Sequence, residues 1–131
     1  MRVCRTLDYI VNTDLHLYLF VKFDNARNKG IQVEIELTEP IVYLPVDSVD
    51  YIDIVDLILD DVTCLLAESK NKKMNFYMFY TDGELHLVIE YPFGKECSSK
   101  KLDTVLRHYD NFHFFTAHEK GVITQHLIVT R

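Results

Sequence analysis

Gly30-Ile31-Gln32-Val33-Glu34-Ile35-Glu36-Leu37, followed by Tyr51-Ile52-Asp53-Ile54-Val55-Asp56-Leu57-Ile58-Leu59-Asp60-Asp61, decides how this chain folds. In the first stretch apolar and polar residues alternate, the period of a strand with one buried face. In the second, Tyr51, Ile52, Val55, Ile58, Leu59, Val62, Leu65 and Leu66 recur at helical spacing, and Asp53, Asp56 and Asp60 fall on the opposite side. That helix starts near Asp47 or Asp50 and ends near Ser69, its acidic start suiting the helix dipole. Gly30 closes an earlier helix that Asn12-Thr13-Asp14 opens. The fold-setting unit is therefore helix, strand, long helix.

Outward from this unit, Pro40 ends the strand region, and Val42-Tyr43-Leu44 reads as a short edge strand before Pro45. Met74–Tyr80 and Glu84–Tyr91 alternate around Thr81-Asp82-Gly83-Glu84, a hairpin signal. Pro92-Phe93-Gly94-Lys95-Glu96-Cys97 reads as loop. Ser98 or Ser99 caps a short helix to about Asp110, with Leu102, Val105, Leu106 and Tyr109 inward. A second hairpin, Phe112–Ala117 with Val122–Thr130, turns at Glu119-Lys120-Gly121. Helices and strands mix without regular parallel crossovers, which predicts an α+β two-layer sandwich.

The 131 residues suit a single domain, 1–131, with 1–11 as an N-terminal lead-in or linker. A formal net charge of −6 argues against nucleic-acid backbones and anionic membranes as partners. No apolar run reaches the roughly 18 residues of a membrane span, and the N-terminus lacks a signal-peptide core. Cys4, Cys64 and Cys97 are odd in number and lack ligand spacing, which fits reduced thiols of a cytoplasmic protein. Cys64 reads as a small buried hydrophobe.

The quoted residues also resemble a known family. Leu15, Lys22, Ala26 and Gly30-Ile31, then Val33-Glu34-Ile35, then Ile58-Leu59-Asp60-Asp61, then the Asp82-Gly83 hairpin are similar in order and spacing to the ATP-binding domain of peptide-sensing bacterial histidine kinases, part of the GHKL ATPase superfamily. The resemblance spans roughly residues 12–129. It implies the Bergerat fold, a mixed sheet with three helices on one face. It also implies a site that this sequence departs from. The long helix of the family carries an Asn that helps hold Mg²⁺ against the ATP phosphates; here Asp61 stands there, with Leu57 one turn earlier. A carboxylate can bind Mg²⁺, so Asp61 is the candidate cofactor and metal residue, but its charge repels a triphosphate that no metal neutralises. The family's adenine-binding Asp has no counterpart in Tyr91-Pro92-Phe93-Gly94-Lys95. Its glycine-rich ATP lid has none either, since no glycine lies between Lys95 and Lys101. His16 sits on the first helix and cannot serve as a phosphoacceptor on a separate helical hairpin.

The resemblance with these departures implies a non-catalytic, pseudokinase-like regulatory or interaction domain that needs no cofactor. Its partner would be a histidine kinase, a response regulator or a second copy. The alternative is an ATP-binding catalytic domain of a two-component sensor kinase, using Mg·ATP through atypical boxes. The first helix is apolar nearly all round, and Leu15, Tyr18, Leu19, Phe20 and Phe23 are the candidate interface; burial within the domain is the competing reading. Asp50, Asp53, Asp56 and Asp60 read as a solvated face before a metal cluster. Ser98-Ser99-Lys100-Lys101 reads as a plain helix start before an anion cradle. His16, His86, His108, His113, His118 and His126 form no metal signature.

Overall fold

The computed structural model describes residues 3–92 and 100–131. Helix α1 (Thr13–Asn28) begins where the Asn12 side chain accepts the Leu15 N–H at 3.1 Å. It ends in a Schellman arrangement: Gly30, at φ 83°, donates to the Arg27 carbonyl, and Ile31 donates to that of Ala26. The turn drops the chain directly into β1 (Gln32–Leu37). Helix α2 (Ser48–Ala67) then crosses over to β2 (Lys73–Thr81), which lies parallel to β1. β3 (Glu84–Pro92), α3 (Lys100–Leu106), β4 (Phe112–Glu119) and β5 (Val122–Val129) complete the chain.

The five strands form one mixed sheet in the order β1-β2-β3-β5-β4, with every pair but the first antiparallel. Both hairpins turn on two positive-φ residues, Asp82-Gly83 and Lys120-Gly121, the conformation whose twist matches paired strands. The helices cover one face. Val33, Ile35, Leu37, Leu85, Leu87 and Ile89 of the sheet meet Val55, Leu59 and Val62 of α2, and all nine are buried, as the alternation predicts. The fold class is the expected α+β two-layer sandwich.

Two local expectations are corrected. Residues 3–11 are no loose linker. Cys4 exchanges two backbone hydrogen bonds with Leu37, Ile41 donates to Tyr9, and Val11 donates back to Ile41. Leu7 and Ile10 bury their side chains in the common core. Val42-Tyr43-Leu44 is no strand either. Only Ile41 makes a bridge, to Ile10, and the Tyr80 hydroxyl then holds Tyr43 by both its backbone N–H and its carbonyl. Those groups are thereby satisfied by a side chain instead of a ladder.

Candidate functional site

The long helix carries the candidate site, and α1 packs beside it. On α1, Tyr18 and Lys22 are one turn apart; on α2, Asp56 and Asp60 are one turn apart. The two pairs interlock. The Tyr18 hydroxyl donates to Asp56 Oδ1 at 2.6 Å, Lys22 Nζ lies 3.0 Å from the same oxygen, and Lys22 also pairs with Asp60. The Lys22 side chain is only 18% exposed, so its stem is packed between the helices. Partial burial alone would raise the Asp56 carboxyl, but the Tyr18 hydroxyl and the Lys22 ammonium overcome it and hold the group below the usual carboxylate range. Burial, reinforced by Asp56, drives the Tyr18 hydroxyl upward, so it stays protonated and donating. Asp50 accepts from the Tyr109 hydroxyl at 3.0 Å, while Asp53 is exposed. Three of the four aspartates expected to be a solvated face therefore hold helices and the segment after α3 together.

Asp56 is thus no idle member of a solvated face, and its loss carries a cost. Asp56→Ala removes a charged hydrogen bond and an ion pair at a site still 42% open to solvent. A loss of about 1 kcal/mol follows after allowing for that screening. Because the folded-state group is depressed, its contribution is present above the ordinary aspartate range and is lost as pH falls below about 4. Urea melts of wild type and variant should differ at pH 7 and converge toward pH 2; a gap that is constant with pH contradicts the ionic origin.

Asp61 lies on α2, partly buried, one turn after the partly buried Leu57. Its helical stripe therefore offers one carboxylate and one isobutyl group. Among the described residues, no three His, Cys, Asp or Glu side chains are grouped as a metal centre. The connection from Pro92 to Lys100 comprises seven residues, 93–99, outside the described residues. The expected loop at Gly94, the anion-cradle reading of Ser98-Ser99 and the fate of Cys97 fall there. Tyr91, at the end of β3, points into the core and accepts from the buried Gln125 amide at 3.2 Å.

The candidate interface on α1 divides. Leu15, Leu19 and Phe23 are fully buried against the chain's own sheet, with Phe23 edge-on to Phe76 at 5.0 Å, so these three are core. Tyr18 is partly buried and committed to Asp56. Phe20 remains, 59% exposed, flanked by Leu17 at 59% and Val21 at 56%, which share its side of the helix at i, i+3 and i+4 spacing. Cys64, expected inside, is exposed. His16 caps inward onto the Ile10 carbonyl at 3.0 Å, holding the lead-in to α1. Sequence reading missed the joining of His86 to His126, which only the strand register brings together.

No protein-family model matches this sequence, and no curated protein matches it either. Solved structures do. The chain superimposes on the histidine kinase AdeS of Acinetobacter baumannii with a TM-score of 0.68 at 10% identity, covering 99% of this chain and 68% of that one. It matches the histidine kinase ThkA, solved in complex with the response regulator protein TrrA, with a TM-score of 0.70 at 10% identity; 92% of this chain and 40% of that chain are covered. Against the isolated catalytic domain of ThkA the TM-score is 0.64 at 9% identity, and the match covers 99% and 97% of the two chains. The described architecture, a five-stranded mixed sheet under three helices, is thus the Bergerat fold of histidine kinase catalytic domains.

Proposed function

We propose that this domain is a non-catalytic relative of the ATP-binding domain of peptide-sensing histidine kinases, a pseudokinase that works by docking. The observation that carries this reading is the Asp61–Leu57 stripe of α2. There a carboxylate replaces the amide that the resemblance calls for, and no second polar group stands one turn before it. The neighbouring acids do not make up the loss, because Asp56 and Asp60 are engaged by Lys22 and Tyr18. The seven-residue connection between β3 and α3 is further support, since it leaves little chain for a phosphate-cradling lid. The docking surface in this reading is the outer face of α1, Leu17, Phe20 and Val21. Its partner is a histidine kinase, a response regulator or a second copy of the chain.

Thermal unfolding with and without Mg·ATP tests the reading. No upward shift is expected up to millimolar nucleotide. A ligand at a hundred times its Kd stabilises a fold by about 2.7 kcal/mol. A saturable rise of that order, removed by Asp61→Ala, would hand the site to the alternative, an ATP-binding catalytic domain holding Mg²⁺ through Asp61.

A further inference from the structure

The face of the sheet away from the helices carries a second cluster that the proposed function does not use. β3 and β5 pair so that His86 lies opposite Ile128, and Val88 lies opposite His126. The two histidines are therefore diagonal neighbours on the same face. Their rings meet: His86 Nδ1 and His126 Nε2 are 2.8 Å apart. Phe79 stacks on His86 with centroids 4.8 Å apart and planes at 11°, and Phe115 packs on His126 at 4.7 Å. Both imidazoles are thus held in place by rings from the flanking strands β2 and β4. The His86 side chain is only 11% exposed, and its Nε2 is buried without a hydrogen-bond partner, 3.9 Å from Glu84 Oε1.

We propose that His86 and His126 form a two-imidazole chelating site for a divalent transition ion of the copper or nickel type. A metal–imidazole bond is about 2.0–2.1 Å. Two nitrogens 2.8 Å apart then subtend about 85–90° at the ion, by the same bond length. That is the angle between adjacent ligands in tetragonal coordination, the geometry of Cu²⁺ and Ni²⁺. A tetrahedral ion such as Zn²⁺ would need the nitrogens about 3.3 Å apart at that bond length. Metal-bound histidines commonly direct the second ring nitrogen at a carboxylate, which fixes the tautomer and raises ligand basicity. Glu84 Oε1, 3.9 Å from His86 Nε2 and not hydrogen-bonded to it in the empty pair, would close into that role when Nδ1 is the ligand atom. In the empty pair, a proton on His86 Nε2 makes His86 Nδ1 an acceptor, so His126 Nε2 carries the shared hydrogen. On metal binding that hydrogen passes through solvent to His126 Nδ1, which frees Nε2 as the second ligand atom. The described residues supply two ligand atoms here, and water or an external donor completes the coordination sphere.

The test uses the untagged full chain. Isothermal titration with NiCl₂ at pH 7.5 is expected to show one saturable equivalent. Cu²⁺ added to the wild type should give an electron paramagnetic resonance spectrum of a tetragonal ion with two imidazole nitrogens. His126→Gln and His86→Gln should each abolish the saturable equivalent, Glu84→Gln should weaken it about tenfold or more, and the exposed His108→Gln should leave it intact. Circular dichroism checks that each variant is folded, and the copper spectrum of the wild type decides the matter if neither His variant folds. Absence of a saturable equivalent, a copper spectrum without paired nitrogens, or full binding by a folded His126→Gln overturns the site.

Discussion

Phe23→Ala should destabilise the domain by about 3–5 kcal/mol, the usual loss for a buried aromatic cut back to a methyl group. Phe23 is fully buried and meets Phe76 of β2 edge-on, with planes at 74°. The change therefore leaves a cavity where α1 meets the sheet and also breaks an aromatic pair. Domains of this size hold only about 5–15 kcal/mol in all, so the melting temperature should fall by roughly 10–20 °C. Urea unfolding checks the value, with Phe20→Ala as the internal comparison. Phe20 is one turn away on the same helix but points into solvent, and its removal should cost under about 0.5 kcal/mol. If α1 docks a second copy through its outer face, Phe20→Glu keeps the fold and lowers the mass seen by light scattering. Equal losses from Phe23→Ala and Phe20→Ala would mean that α1 is rotated from the orientation described above.

Leu59→Ala should cost about 2–5 kcal/mol. Leu59 is fully buried in the middle of α2. The helix is continuous there, and Thr63 returns its hydroxyl to the Leu59 carbonyl at 2.8 Å, so backbone collapse into the cavity is resisted. A value near the upper end of the range is expected for that reason. The shift should appear in the urea midpoint without a change in slope, because the surface exposed on unfolding is almost the same. Asp60→Ala, the next residue, is exposed and should cost only the partial worth of its pairing with Lys22, about 0.5 kcal/mol. A Leu59→Ala loss below 1 kcal/mol would remove α2 from the sheet.

The strands and hairpins were legible because their signals are local. Alternation in residues 31–37 and 84–91 gives the buried face, and Asp82-Gly83 and Lys120-Gly121 supply the positive-φ pairs that a tight hairpin requires. α2 was legible for the same reason: its stripe is one-sided. α1 was harder. It is apolar nearly all round, and sequence cannot say which of Leu17, Leu19, Phe20 and Phe23 meets the sheet when each would do. Asp56 was misjudged because its partners, Tyr18 and Lys22, lie 38 and 34 positions earlier in the chain, and nothing local marks them. Cys64 was assigned to the interior on residue type alone, whereas the turn it occupies places it outside beside Asp60. His86 and His126 come together only through the register of β3 on β5, 40 residues apart, which no spacing rule reaches. At the candidate nucleotide site the chain was informative about identity, Asp61 and Leu57, and silent about how the residues around them are engaged.

The clasp of Cys4 on Leu37 has a consequence for assembly. At that border of the sheet, Leu37 has already spent both backbone groups on Cys4, and the Arg27 guanidinium takes the Val33 carbonyl at 3.2 Å. An incoming strand would find the β1 ladder interrupted at both ends. At the opposite border stands β4, whose strand neighbour in the sheet is β5. The N-terminal clasp thereby guards the β1 border against edge-to-edge pairing with another strand.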